Sequence, residues 1–316
     1  NVNGFITNLS SNTLEESLHF LTFVSPFSYQ ANSNGELTSL EDNTIITTAK
    51  NKRVAPFMCI TNIGEDGRFS SDVAHSILTN ENTQDILIQN VLNELDTAYY
   101  GLIVDFEYVL PNDRENYNQF LRKISVILRS RGYTLVSCLA PKTSADQPGT
   151  LYEGHDYPVH GEICDYIIIM TYEWGYSYGP PMAVAPINPV RHVLDYAVSA
   201  IPSEKILMGM PNYGYDWTLP FVRGTRATVV SNTGAIQLAS EVGASIQYDK
   251  LQQSPYFYYN REGSEHVVWF DDARSVQARL RLVEDYNLTG ISYWNIDTLF
   301  RQGFIVLENM YHVNKV

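Results

Sequence analysis

Short apolar runs recur along the whole chain, at Val2–Thr7, Phe20–Phe27, Val54–Ile60, Gly101–Glu107, Leu135–Ala140, Tyr166–Tyr172, Ile206–Pro211 and Gly290–Asn295. Each covers six to eight residues and is rich in Val, Ile, Phe or Tyr, the make-up of a buried strand. They are almost continuously apolar, as parallel strands covered by helices are, rather than alternating. Helical periodicity fills several of the gaps. Thr83–Leu95 is expected to put Ile86, Ile88, Val91, Leu92 and Leu95 on one face. Arg114–Arg131 carries Tyr117, Phe120, Leu121, Ile124 and Ile127-Leu128 at spacings of three and four and stops at Gly132. Val190–Ile201, Ala273–Tyr286 and Leu299–Tyr311 are similar. Eight strand-then-helix units predict an α/β fold closed as a (β/α)8 TIM barrel, with residues 1–316 as one domain.

A barrel of this kind needs about 250 residues, which leaves roughly 60 to place. Residues 217–270 suit a small α+β insertion between strand seven and the next helix. The segment has a strand-like Ala227–Ser231, a helical Ala235–Val242, and a hairpin from Tyr256–Asn260 and His266–Phe270. Tyr256, Phe257, Tyr258 and Tyr259 are expected to form its small core.

Composition narrows the function. With 44% hydrophobic and 18% charged residues the chain can bury a large core. Twenty-one basic residues face 35 acidic ones, a net charge of −14, which disfavours nucleic acid and anionic membranes as partners. The three cysteines have no CxxC spacing and read as buried thiols. No run approaches the roughly 18 apolar residues of a membrane span, and no signal peptide opens the chain. Tyrosine, at 22 residues, gives a surface able to grip an amphipathic ligand such as a sugar, or simply a large core.

Sites on (β/α)8 barrels lie at the C-terminal strand ends. Four ends here are polar and aromatic: Asp105-Phe106-Glu107, Met170-Thr171-Tyr172-Glu173-Trp174, Pro211-Asn212-Tyr213-Gly214-Tyr215-Asp216-Trp217, and Tyr293-Trp294-Asn295-Ile296-Asp297. Side chains alternate along a strand, so Ile103, Asp105 and Glu107 share the inner face while Leu102, Val104 and Phe106 meet the helices. Neighbouring carboxylates resist joint ionisation, so one keeps its proton near neutral pH, and such a pair suits glycosidic cleavage.

These segments resemble glycoside hydrolase family 18, the chitinase family. Strand four is similar to its Asp-x-x-Asp-x-Asp-x-Glu signature, Met170-Thr171-Tyr172-Glu173 to its Met-x-Tyr-Asp motif, and Trp294 to the tryptophan under its sugar site. Ala140-Pro141-Lys142-Thr143-Ser144, Thr171–Pro181 and Met208–Val222 resemble the bacterial spore-cortex-lytic N-acetylglucosaminidases. The resemblance implies substrate-assisted retention without metal or cofactor. Glu107 would be the acid, Asp105 and Tyr172 would hold the 2-acetamido group, and Trp294 would stack under the ring. Glu173, Trp174, Asn212, Tyr213, Asp216 and Trp217 are the further substrate-binding candidates. Of these, Asn212, Asp216 and Trp217 either line the cleft or anchor the insertion, and the cleft is favoured. The chain departs from the signature where Tyr100 and Ile103 stand for its first two aspartates, and where Glu173 replaces the usual aspartate.

The implied substrate is spore-cortex peptidoglycan or another N-acetylglucosamine-containing glycan, with a spore-associated or extracytoplasmic location. An endochitinase and a non-catalytic sugar-binding barrel are the alternatives. A monomer is expected, with wall attachment by a separate upstream module, because an anionic chain gains no steering toward an anionic wall. Two other signals are set aside. Gly175-Tyr176-Ser177-Tyr178-Gly179 matches a serine-hydrolase elbow, but Pro180-Pro181 follows where a helix is required. His155 and His160 read as solvated or structural.

Overall fold

A computed structural model describes all 316 residues. The eight expected runs become parallel strands at Val2–Ile6, Phe23–Pro26, Ala55–Thr61, Gly101–Asp105, Thr134–Leu139, Tyr166–Ile169, Ile206–Pro211 and Gly290–Trp294. Each pairs with its neighbours in chain order, the first also with the eighth, and the pairing of Phe23 with Ala55 completes the circle. The result is a closed (β/α)8 barrel. Every residue of strands one, three, four and seven is buried, because helices cover the outside and side chains fill the inside. That two-sided burial is why these runs lack polar alternation.

Within the barrel Phe5, Ala55, Phe57, Cys59, Ile103, Val136, Cys138, Ile168 and Leu207 pack together. Leu102, Val104 and Phe106 point the other way, into the larger core beneath the helices. All three cysteines are buried and free. Glu81–Ala98, Arg114–Ser130, Ile187–Ala200, Ala273–Asp285 and Arg301–Met310 are the expected helices, joined by shorter ones at Leu14–Leu18, Asn43–Asn51, Ser71–Leu78 and Tyr157–Ile163. Two details differ from expectation. Ile86 is 39% exposed, with Leu87 in the buried stripe. Phe20 precedes its strand and stacks on Phe304 of the last helix at 4.5 Å, within the core beneath the helices.

The excursion after strand seven is a five-stranded antiparallel sheet. Its strands lie in the order Thr228–Ser231, Tyr213–Leu219, Ser264–Trp269, Ser254–Arg261, Gln247–Asp249, and helix Asn232–Glu241 belongs to the same excursion. The sheet begins at Tyr213 rather than Trp217. Tyr213, Tyr215 and Trp217 alternate with smaller or more polar neighbours, the period of a strand. One face, with Tyr215, Trp217, Val267 and Trp269, packs on Ala183 and Val184 of the loop after strand six. The other carries Phe257, Tyr259 and Val268 against Ala235 and Ala239 of the helix. Only half of the tyrosine-rich run therefore forms that helix-side core: Tyr256 stacks on Trp269 at 4.6 Å, and Tyr258 is exposed.

A buried ion pair fastens the exit of this sheet. The Arg279 guanidinium meets the Asp271 carboxylate, both almost wholly out of solvent, and Arg279 also donates to the Ala185 carbonyl at 3.2 Å. Removing one partner leaves an uncompensated buried charge, so Arg279→Met should destabilise the chain by about 3–5 kcal/mol. Urea unfolding checks this, and a loss below about 1 kcal/mol would mean that solvent reaches the pair.

Candidate active site

Asp105 is the last residue of strand four and lies beside Thr61 of strand three. The ladder stops there, but the alternation continues through Phe106, so Glu107 turns to the same mouth as Asp105. Two side chains pin this strand end through the backbone. Asn62 accepts the Glu107 N–H at 2.9 Å and donates to the Glu107 carbonyl at 2.8 Å, and its amide also donates to the Ser70 carbonyl at 3.0 Å. His155 accepts the Ala140 N–H on Nδ1 at 2.9 Å, which leaves Nε2 to donate to the Phe106 carbonyl at 2.8 Å. Burial lowers the His155 pKa to about 4, so this bridge is a neutral imidazole of fixed tautomer. His160 is likewise buried, and its Nδ1 lies 3.0 Å from the Ser137 hydroxyl. Neither histidine is solvated.

Burial pushes the Asp105 carboxyl up to about 7, with the facing Cys138 thiol acting in the opposite direction. Glu107 is raised well above the ordinary range, first by burial and then by the charge of Asp105. The two share a confined cleft, Asp105 buried and Glu107 half-buried, in which a second negative charge is disfavoured, so the pair retains a proton near neutral pH. That arrangement sets an acid beside an ionised carboxylate.

Tyr172 stands opposite, its ring laid over Gly209 of strand seven. A Cβ at that glycine would come within 2.8 Å of Tyr172 Cε1, so the close approach requires glycine. Burial keeps the Tyr172 phenol protonated and able to donate. Trp294, at the end of strand eight, is held by edge contacts from Phe5 and Phe27 at 5.6 and 4.8 Å. Glu173 adopts a left-handed backbone conformation (φ 66°) and receives hydrogen bonds from the Tyr213 and Tyr215 hydroxyls, the latter at 2.9 Å.

Two cavities meet along Trp294 and Glu173. The first, about 330 Å³, contains Asp105, Glu107 and Tyr172, with Trp174 on its wall. The second, about 390 Å³, is bounded by Tyr213, Tyr215 and Asn295. No Lys, Arg or His lines either one, while carboxylates line both. The cleft therefore suits an uncharged ligand on which positive charge develops. No group of three or more His, Cys, Asp or Glu is arranged to hold a metal ion.

Asp105, Glu107, Tyr172, Glu173, Trp174 and Trp294 are thus brought together, and Tyr213 joins them from the insertion. Asn212 borders the second cavity, but its amide donates to the Asn295 and Thr298 carbonyls at 2.9 and 2.8 Å. Asp216 and Trp217 do not reach the cleft, contrary to the favoured reading of the sequence. Asp216 accepts from Tyr259 and pairs with His266 at 3.0 Å, both within the insertion sheet. Trp217 is buried and donates to the Gly179 carbonyl at 2.8 Å. Both belong to a strand whose side chains alternate between the insertion's two faces. Asn62, Cys138, Phe27 and Tyr152 are site neighbours that sequence patterns did not single out. Asn62 sits where a strand end turns polar, the one signal that could have marked it.

Residues 6–298 match the glycosyl hydrolases family 18. The chain is 43% identical over 303 residues to the cortical fragment-lytic enzyme of Bacillus subtilis (strain 168), covering 95% of this chain and 70% of that protein. Its fold is similar to the crystal structure of the Bacillus cereus spore cortex-lytic enzyme SleL, with a TM-score of 0.96 and 39% identity over 99% of this chain and 75% of the other. A chitinase from Chromobacterium violaceum ATCC 12472 superposes with a TM-score of 0.90 at 27% identity, over 97% of each chain.

The raised carboxyl pair has a consequence for stability. Unfolded Glu107 ionises near its ordinary value of 4.5, whereas the folded group holds its proton to much higher pH. Stability is thus fully present below that value and is lost as pH rises toward the folded pKa. Glu107→Gln should therefore match the native chain in Tm near pH 4 and exceed it increasingly toward pH 8. A difference that does not change with pH, in thermal melts across that range, would refute the shift.

Proposed function

Because the chain belongs to glycosyl hydrolases family 18 and is a glycoside hydrolase, we propose that it cleaves N-acetylglucosaminyl bonds in spore-cortex peptidoglycan fragments, with retention assisted by the substrate. The observation that carries this reading is the Asp105–Glu107 pair, holding a proton inside a cleft floored by Trp294 and faced by Tyr172. Glu107 donates its proton to the glycosidic oxygen as that bond breaks. The substrate's 2-acetamido oxygen attacks the anomeric carbon, giving a cyclic oxazolinium ion. Ionised Asp105 accepts a hydrogen bond from the acetamido N–H and stabilises the positive charge, while the Tyr172 hydroxyl donates to the acetamido oxygen. Glu107, now a carboxylate, takes a proton from the incoming water, which opens the ring and restores the starting configuration. Trp294 supplies the stacking face.

The cortical fragment-lytic relative supports the substrate class, and the cation-free cleft fits sugars without a free carboxylate at the scissile bond. The chitinase similarity keeps chitin oligomers as a second substrate, at lower identity. We further propose action at the spore wall as a monomer, with attachment by a separate module, since a chain with a charge of −14 gains no steering toward an anionic wall.

Glu107→Gln should lose on the order of a thousandfold or more in turnover of muropeptides while retaining its fold. Near-native product release, followed by mass spectrometry, would sink the assignment. Tyr172→Phe removes one donor to the acetamido oxygen and should lower kcat by roughly a hundredfold with KM little changed. Parallel digests of chitin oligomers and cortex fragments rank the two substrates.

A further inference from the structure

Asp105 is only 5% exposed, and its Oδ1 is enclosed without a hydrogen-bond partner. A carboxylate so placed is costly unless something holds it. Below it the barrel offers nothing polar on its own strand, since Ile103 fills that layer beside Cys59. On the adjoining strand, Val104 pairs with Ser137, so the next residues along are Asp105 and Cys138. The Cys138 side chain points into the barrel, is buried, and lines the same cavity as Asp105 and Glu107. Cys138 and Asp105 are thus lateral neighbours on adjoining strands, and the thiol counters the burial that raises the Asp105 carboxyl.

We propose that Cys138 is a positioning residue for Asp105: its S–H donates to the carboxylate from inside the barrel and keeps it turned toward Glu107 and the acetamido group. The proposal rests on the catalytic reading of Asp105 given above and names the group that orients it. A thiol suits the place. It is a weak donor that packs as a small hydrophobe, so it completes the apolar interior and still meets the carboxylate. Burial and the nearby charge of Asp105 hold the Cys138 proton firmly, so the group stays a donor and does not compete for negative charge. In this chain the contact does from the neighbouring strand what no side chain at position 103 can do.

The test compares native protein, Cys138→Ala and Cys138→Ser in pH profiles of kcat and kcat/KM on a chitooligosaccharide. Loss of the donor should move the acid limb of Cys138→Ala upward by about one pH unit and lower kcat several-fold near pH 6, with KM little changed. The hydroxyl of Cys138→Ser is a stronger donor and should restore kcat and move the limb below that of the alanine variant. Identical limbs in all three proteins, whatever their Tm values, would reduce Cys138 to a space-filling residue and overturn the proposal. A readout independent of turnover is the infrared S–H stretching band that Cys138→Ala removes. In native protein this band should shift as Asp105 ionises and should not shift in Asp105→Asn. Should Asp105→Asn hydrolyse at the native rate while the band still responds to pH in native protein, the catalytic reading of Asp105 falls and the thiol contact stands. A band unmoved by pH removes the contact itself.

Discussion

Everything at the mouth of this barrel depends on two carboxyl groups crowded into one cleft and largely withdrawn from bulk water. Asp105 and Glu107 stand two residues apart on one strand end, so alternation aims both into the same enclosed space. Exposed, they would both ionise and be chemically ordinary. Desolvation makes the second charge prohibitive, and the site consequently holds an acid and a base in one place. The packed interior withdraws Asp105 from water, the parallel ladder supplies the spacing, and the cation-free walls leave the negative charge unneutralised.

The groups around the pair act on position more than on charge. Asn62 grips both the N–H and the carbonyl of Glu107, and neutral His155 ties the Phe106 carbonyl to the neighbouring strand. Gly209 lets the edge of the Tyr172 ring approach strand seven closely. Each is a contact between a side chain or ring and the backbone of another barrel unit, so the site is held by the barrel's closure and not by any one loop.

The eight strands were legible because burial on both faces writes itself as uninterrupted apolar runs, and the placement of Asp105 and Glu107 followed from alternation alone. The family's motifs, read as a resemblance, suggested roles for Tyr172 and Trp294. Other features were hidden for physical reasons. Asn62 and His155 bond to backbone atoms far away in the chain, and a backbone atom has no residue type to recognise. Asp216 and Trp217 follow directly on a barrel strand, yet a new sheet starts at Tyr213 and diverts them. Phe20 and Ile86 are apolar like their neighbours, and only packing decides which member of such a run is covered.

The junction at Asn212 gives the insertion its mechanical character. A single residue separates strand seven from the first strand of the insertion, and it is tied on every side. Its N–H donates to the Trp294 carbonyl, its amide donates to the Asn295 and Thr298 carbonyls, and Asn232 of the insertion helix reaches its oxygen. Such a joint has no slack to serve as a hinge. The wall that the insertion adds to the second cavity, through Tyr213, Tyr215 and Ser231, is therefore seated on the same strand end that carries Trp294, so one anchor serves both sides of the groove.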